Sequence, residues 1–233
     1  TYNEIVNGII LGAGANPIDS VFGILPMGTA NDLADNLGIP KDLQAAARLI
    51  AAGHTRPIDV CRVNHRYFIN NSGIGFEPAV TVIQMKMKRL QGVLRYLVAT
   101  LAAVIKNPNW EMDLEWEGGS YRGPVKLVSI GNNPRTGGIF YTVPNADPFD
   151  GKLSFVYGYV KTRGQILRLL PRIMKSGVDN YTQHPDVHEE HTTWLKIKTQ
   201  PATPVHTDGE ILDLSIHELE YRIYPGKLPM LLP

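Results

Sequence analysis

Cysteine is almost missing from this chain: Cys61 is the only one in 233 residues. No internal disulfide and no cysteine-based metal cluster can form, and a reducing, cytoplasmic setting fits best. An excess of one charge is missing too. The 23 basic and 22 acidic side chains leave a formal charge of +1, whereas nucleic-acid binders usually carry a strong basic excess. Nucleic acid is therefore not an expected partner. The longest apolar run, around Val93 to Ile105, is interrupted by Arg95 and is too short to span a bilayer. No signal peptide opens the sequence. Glycine (22) and proline (17) are frequent but follow no period, which excludes collagen-like and disordered chains.

What is present suffices for a core. The composition is 43% apolar, and a chain of this length buries roughly 70–75% of its unfolded surface without needing a disulfide or metal. TYNEIVNGII reads as a helix already under way, with Ile5, Val6, Ile9 and Ile10 at helical spacing. It starts at Thr1 rather than a methionine, and it reads as a piece whose upstream part lies elsewhere. VFGILP suggests a short buried strand, and MGTANDLADNLGIP a loop entering a helix with Asn31 or Asp32 as cap. Lys41 to Ala52 reads as an Ala-rich helix closed by Gly53. Strands alternating with helices are α/β grammar.

After Arg56 the grammar changes. PIDVCRVN, RYFINNSGI, WEMDLEWEG, GPVKLVSIGN, IFYTVP, GKLSFVYGYV, TTWLKIKT, VHTDGEIL and LEYRIYP read as β runs bounded by turn residues. Helical patterns interrupt them at about Met85 to Lys106 and Gly164 to Lys175. The expected organisation is a remnant α/β domain over 1–56, a β-rich domain over 57–218, and a segment over 219–233 returning to the first.

Several short patterns admit two readings. In LPMGTANDLA a Gly-Thr pair after a strand offers amides and a hydroxyl to a phosphate, or forms a plain strand-to-helix turn. Asp208-Gly209 marks a hairpin tip that also projects Glu210. Asp150-Gly151 fits a type I turn or a cation loop. His184, His188 and His191 could clamp a metal on a helix, but Pro185 and nearby acids favour a solvated loop.

Five ordered blocks resemble the diacylglycerol kinase catalytic-domain family, the soluble bacterial lipid kinases related to sphingosine and ceramide kinases. LPMGTANDLA resembles its P-x-G-T-x-N-D segment, and TYNEIVNGII the tail of its G-G-D-G-T-x-N-E-V-x-N-G motif, entered at the threonine. HTDGEIL resembles its D-G-E motif, while FINNSGIGFEPAV and VPNADPFDGKLSFV match its intervening blocks. The NAD-kinase T-P-T-G-S-T-A-Y-like run is absent. The resemblance implies an α/β plus β architecture. This is an NAD kinase-like two-domain fold with a fragmentary N-terminal α/β nucleotide domain and a C-terminal β-sandwich-type domain.

It also implies an ATP- and Mg2+-dependent kinase acting on a lipid substrate. Thr1, Asn3, Glu4, Gly28 and Thr29 would line the nucleotide phosphates. Glu210 would be the general base, with Asp208 in the same motif and Asp59 a partner through water and metal. Asp150, with main-chain oxygens near Asp147 and Lys152, would hold a structural magnesium. The family's Gly-Gly-Asp-Gly would precede Thr1, so the 233 residues by themselves are expected to be inactive. The rival reading is a non-catalytic lipid-binding or regulatory homologue. Oligomeric state stays open, a homodimer included.

The near-zero charge conceals a segregation. Residues 78–110 carry Lys86, Lys88, Arg89, Arg95 and Lys106, and residues 161–178 carry Lys161, Arg163, Arg168, Arg172 and Lys175, with no acid in either. Each stretch has an apolar side: Leu94, Leu97, Val98, Leu101 and Ile105 in the first, Ile166, Leu169, Leu170 and Ile173 in the second. Basic amphipathic helices can lie on an anionic membrane, which would make the protein cytoplasmic and peripherally membrane-associated. The first stripe is wide enough for a standard buried face, so core packing is expected there. In the second, Pro171 predicts a kink, and core and membrane contact both stay open.

Overall fold

The computed structural model describes every residue except 1, 15, 29, 88, 89 and 91. In chain order the elements are α1 (Tyr2–Ala13), α2 (Asp32–Asn36), α3 (Leu43–Ala52), β1 (Thr55–Val63), β2 (Arg66–Phe68), β3 (Asn71–Gly75), α4 (Phe76–Met85) and α5 (Gly92–Lys106). There follow β4 (Trp110–Trp116), β5 (Gly119–Val125), β6 (Leu127–Gly131), β7 (Leu153–Gly158), α6 (Arg163–Ile173), β8 (Val187–Thr192), β9 (Trp194–Thr207) and β10 (Glu210–Leu231).

Among the described residues the strands join one antiparallel sheet in the order β2-β1-β10-β9-β3-β6-β7-β8. The strand β9 divides it into two layers. Its residues 195–200 pair with β4, which pairs with β5, whereas its residues 205–207 pair with β3. Side chains from both layers interdigitate between them. Trp116 of β4 meets Phe155 of β7 edge-on at 5.3 Å, and Tyr121 of β5 lies 5.1 Å from Tyr157. Strict alternation makes this possible: Trp110, Met112, Leu114 and Trp116 are all buried.

A second core lies on the other side of β1 and β10. Cys61, Val63, Leu219, Tyr221 and Ile223 point into the sandwich. Ile58, Val60, Leu228 and Met230 instead pack with Val6 and Ile10 of α1, Phe22, and Ala46 of α3. These two strands therefore contribute to both cores, which welds the N-terminal helices to the β-domain. The helix α3 is framed by Asp42, whose side chain accepts from Ala45 N at 2.8 Å, and by Gly53 in the left-handed region.

Several elements differ from the sequence expectation. VFGILP forms no strand; Phe22 makes a single parallel bridge to Met230, because Pro229 has no amide to extend the ladder. IFYTVP is a loop, whose Phe140 makes an isolated bridge to Thr136 just before it. RYFINNSGI splits into β2 and β3 because the Ile69 and Asn70 amides turn to a side chain. The helix expected over 85–106 is α5 from Gly92 onward, and a separate helix absent from that expectation, α4, ends at Met85, with Arg95 donating to its Gln84 carbonyl. HPDVHEEH is no solvated loop: its second half is β8, hydrogen-bonded to β7. His188 and His191 fall at positions of opposite parity, and no metal-holding group of three side chains exists among the described residues.

The helix α6 runs through Pro171 to Ile173 and starts with a capping box between Thr162 and Gln165. The α5 stripe is the larger correction. Ala99, Ala103 and Val104 are its buried face, while Leu94, Leu97, Leu101 and Ile105 are 48–60% exposed. Small residues face α4 closely, so the large ones are left outside. Leu114→Ala should therefore cost about 2–5 kcal/mol, whereas Leu97→Ala should stay within about 0.5 kcal/mol. Urea titration of both variants checks this, and comparable losses would mean that the stripe is packed.

Candidate active site

The hairpin joining β9 to β10 has Asp208 (φ 48) and Gly209 (φ 84) at its tip, a pair suited to a tight two-residue turn. The Asp208 carboxylate does not face solvent. It accepts from Asn3 Nδ2 at 2.6 Å and from the amides of Ile69, Asn70 and Asn71 at 3.2, 2.9 and 3.1 Å. Burial pushes its pKa up, and these four donors pull against that shift. Asn3 also donates to the Tyr67 carbonyl, and Asn7 both donates to that carbonyl and accepts from the Tyr67 amide. The two asparagines of α1 thus cover the outer edge of β2, which ends the sheet.

With the turn held from behind, Glu210 projects outward. Its side chain is 48% exposed, and its carboxylate lies 3.4 Å from the Arg66 guanidinium. Glu4, in the first turn of α1, is exposed. A second set of contacts fixes the facing loop. Asn31, itself left-handed, accepts from the Gly28 amide and donates to the carbonyls of Pro26 and Gly28. Asp32 accepts from the Gly138 amide at 2.7 Å, Arg135 bonds Asp35, and Asn36 bridges to Asn70 and the Arg135 carbonyl. Residues 26–36, 132–138 and 69–71 are in this way tied to one another and to Asp208.

Asp59 belongs to a different neighbourhood. Its two oxygens accept from the Gly151 and Gly226 amides, each at 2.7 Å. It forms an open cleft with Arg56, Phe149 and Asp150. Burial pushes its carboxyl up, and the charges of Asp150 and Asp147 add to that shift against the two amides. Asp147 and Asp150 are exposed, and each closes a local turn, onto the Phe149 and Lys152 amides. A third site is apolar: a cavity of about 90 Å³ between α4, α5, α6 and the β6–β7 face. Phe76, Phe140, Val160, Ile166, Leu169 and Ile173 supply much of its wall.

Comparison with known proteins matches this arrangement on both sides of β1. Residues 1–63 match the diacylglycerol kinase catalytic domain, and residues 71–232 match the YegS C-terminal NAD kinase beta sandwich-like domain. The chain belongs to the diacylglycerol kinase catalytic-domain family. Diacylglycerol kinases of Staphylococcus aureus strains RF122 / ET3-1 and Newman are each 28% identical over 233 residues, covering 98% of this chain and 67% of theirs. A diacylglycerol kinase structure from Bacillus anthracis str. Sterne has a TM-score of 0.68 and 22% identity over 93% of this chain and 68% of that one, a likeness of fold. The two-domain, NAD kinase-like architecture and kinase family membership follow.

Within that family the expected site residues have these partners in the structure. The Asp208 carboxylate is held by four donors. Asn3 turns inward to Asp208 and Tyr67 rather than toward a phosphate. The Gly28 amide is taken up by Asn31. Asp59 partners Gly151 and Gly226, not Glu210. Thr1 and Thr29 lie outside the described residues. Sequence reasoning missed Asn7, Asn70 and Arg135; the Asn3–Asn7 spacing on one helix face and the GNNPR run after β6 are the signals that point to them.

The Arg135 clamp is testable by pH. Burial works against the charged form of Asp35, but Arg135 and Lys41 outweigh it and hold its carboxyl below the usual range. A depressed carboxylate stabilises the fold fully above its unfolded pKa, and that stability is lost as pH falls through the folded value. Asp35→Asn should cost about 1–2 kcal/mol at neutral pH, and the gap to wild type should close below about pH 4. Denaturant midpoints across pH 2–7 check this, and a gap independent of pH would refute it.

Proposed function

We propose that the protein containing this chain transfers the γ-phosphoryl group of ATP to a lipid hydroxyl, with Glu210 as general base. The observation that carries the reading is the presentation of Glu210: a turn locked by Asp208 holds an exposed carboxylate beside Arg66, at the edge where α1 meets the β-domain. In the reaction the acceptor oxygen bonds to the γ-phosphorus, the bond to the ADP oxygen breaks, and Glu210 takes the hydroxyl proton. Phosphoryl transfer otherwise asks for positioning and charge neutralisation. The segment carrying Asn36 is tied to Asn70, whose amide binds Asp208, so it would stand on the nucleotide side of this corner. The apolar cavity under α6 supports a lipid acceptor, and the curated relatives bear the name diacylglycerol kinase.

Magnesium bound with the nucleotide would neutralise phosphate charge. A second, structural magnesium would suit the loop over 147–152, where exposed Asp147 and Asp150 bring negative charge close to Asp59. Asp150 with main-chain oxygens near 147 and 152 would hold it, water completing the shell. The base assignment is tested by Glu210→Gln in the full-length protein, which should lower kcat by about 10²-fold or more. Activity within a few-fold of wild type removes Glu210 from that role.

No described helix is long and apolar enough to cross a membrane. A lipid acceptor is then met at a surface, and α5 supplies a suitable face. Its exposed Leu94, Leu97, Leu101 and Ile105 stand near exposed Lys86 and Lys106, while the neighbouring α6 segment displays Lys161, Arg163 and Arg168. Apolar side chains ringed by cations match an anionic bilayer. Binding to vesicles should rise with their anionic fraction and fall with salt. Leu97→Asp with Leu101→Asp should weaken it by tenfold or more, given about 1.5–3 kcal/mol per buried leucine. Unchanged vesicle binding by the double variant would overturn this face as the contact.

A further inference from the structure

The cavity beneath α6 is not wholly greasy. Glu77, in the first turn of α4, lines it. Its carboxylate accepts from Ser129 Oγ at 2.9 Å through one oxygen and lies 3.1 Å from His206 Nε2 through the other. Three neighbouring strands create this seat. Gly73 of β3 pairs with Ser129 of β6 on one side and His206 of β9 on the other, so the three residues stand in a row on one face. A Cβ on residue 73 would lie 2.7 Å from both Glu77 Oε2 and His206 Nε2, so glycine alone leaves room for the carboxylate. Gly75, with φ 81, turns the strand into α4 and brings Glu77 back over it.

Further polar atoms in the same cavity lack partners. Thr100 and Thr142 both line it, at 2% and 4% exposure, and neither hydroxyl makes a hydrogen bond within the chain. Buried hydroxyls left unmade are costly, and native structures supply them with water or ligand. A carboxylate and two idle hydroxyls set in an apolar wall describe a receptor for an amphiphile. About 90 Å³ admits roughly half a dozen water-sized groups, which is one end of such a molecule and not its whole length.

We propose that Glu77, seated on Gly73, is a specificity-determining residue that accepts a hydrogen bond from a hydroxyl of the lipid end held in this cavity. Thr100 and Thr142 offer that end their free hydroxyls, and the chain runs out along the underside of α6. Glu77 reads a donor group and leaves proton removal to Glu210. This deepens the lipid-kinase reading and rests on it for the identity of the ligand.

The test separates binding from phosphorylation. 1-Hexanol and methyl pentyl ether are isomers of equal composition, and only the alcohol can donate. Titrated into the full-length protein by calorimetry, 1-hexanol should bind about tenfold more tightly than the ether, the factor expected for one hydrogen bond to a charged group. Glu77→Gln should cut that ratio several-fold, and Glu77→Leu should bring it near one while ether binding persists. Equal binding of the isomers by wild type overturns the proposal. So does binding of neither, which would mean that the cavity holds only water, or a ratio unchanged in both variants. The near-isosteric Glu77→Gln variant and the wild-type ratio decide the matter even if the Glu77→Leu variant does not fold. In phosphorylation assays Glu77→Gln should raise the KM for a lipid alcohol about tenfold with kcat within about threefold, by the same bond. A full-length protein that phosphorylates no lipid sinks the kinase reading while the isomer ratio still judges Glu77.

Discussion

A single carboxylate, that of Asp208, collects donors from α1 and from the connection between β2 and β3, while its own chain forms the turn between the two longest strands. Removing those contacts would free three backbone amides at once, and buried amides without partners are expensive. The turn would lose its fixed orientation, β2 would lose the asparagines that cover its edge, and the loop bearing Asn70 would lose contact with Asn36. Glu210, two residues on, owes its placement to Asp208. The proposed catalytic corner is thus a rigid rear wall from which a carboxylate projects.

The sheet distributes that rigidity. Because β1 and β10 contribute to both cores, the helical N-terminal part shares its core with the sandwich; Phe22 and Val6 pack against the same strands that close it. The strand β9 divides the load differently, by pairing with β4 along one half and β3 along the other. His206 lies on the half that faces α4, next to the turn, so the cavity floor and the D-G-E hairpin share one short stretch of backbone. Changes at the floor reach the hairpin through a few bonds.

Much of the fold was legible in the sequence because period and punctuation are local properties. WEMDLEW alternates cleanly and is β4; Asp42 and Gly53 bracket α3 as caps should. Misreadings arose where a distant group intervened. No local signal says that Ile69 and Asn70 will give their amides to residue 208, so β2 and β3 looked like one strand. The wide stripe of α5 looked buried because periodicity reports amphipathicity without saying which side has a partner; the alanines won that side by permitting close approach to α4. At the site, motif order located Glu210 and Asp208, but the division between a projecting carboxylate and a saturated one depends on hydrogen bonds from elsewhere in the chain. Arg135 stood in no recognised motif, and its importance comes from the two aspartates of α2 and from the asparagines that bond its carbonyl.

The helix α6 has a capping box of its own and no fully buried residue, and its half-buried apolar side is the roof of the cavity. Segments held so lightly open with far smaller free energies than the strands beneath them. The roof is therefore the wall of the cavity that opens at least cost, while the sheet and the Asp208 wall beneath it are held by the core. Access to the cavity is in this way a property of the outermost layer and not of the sandwich that carries most of the stability.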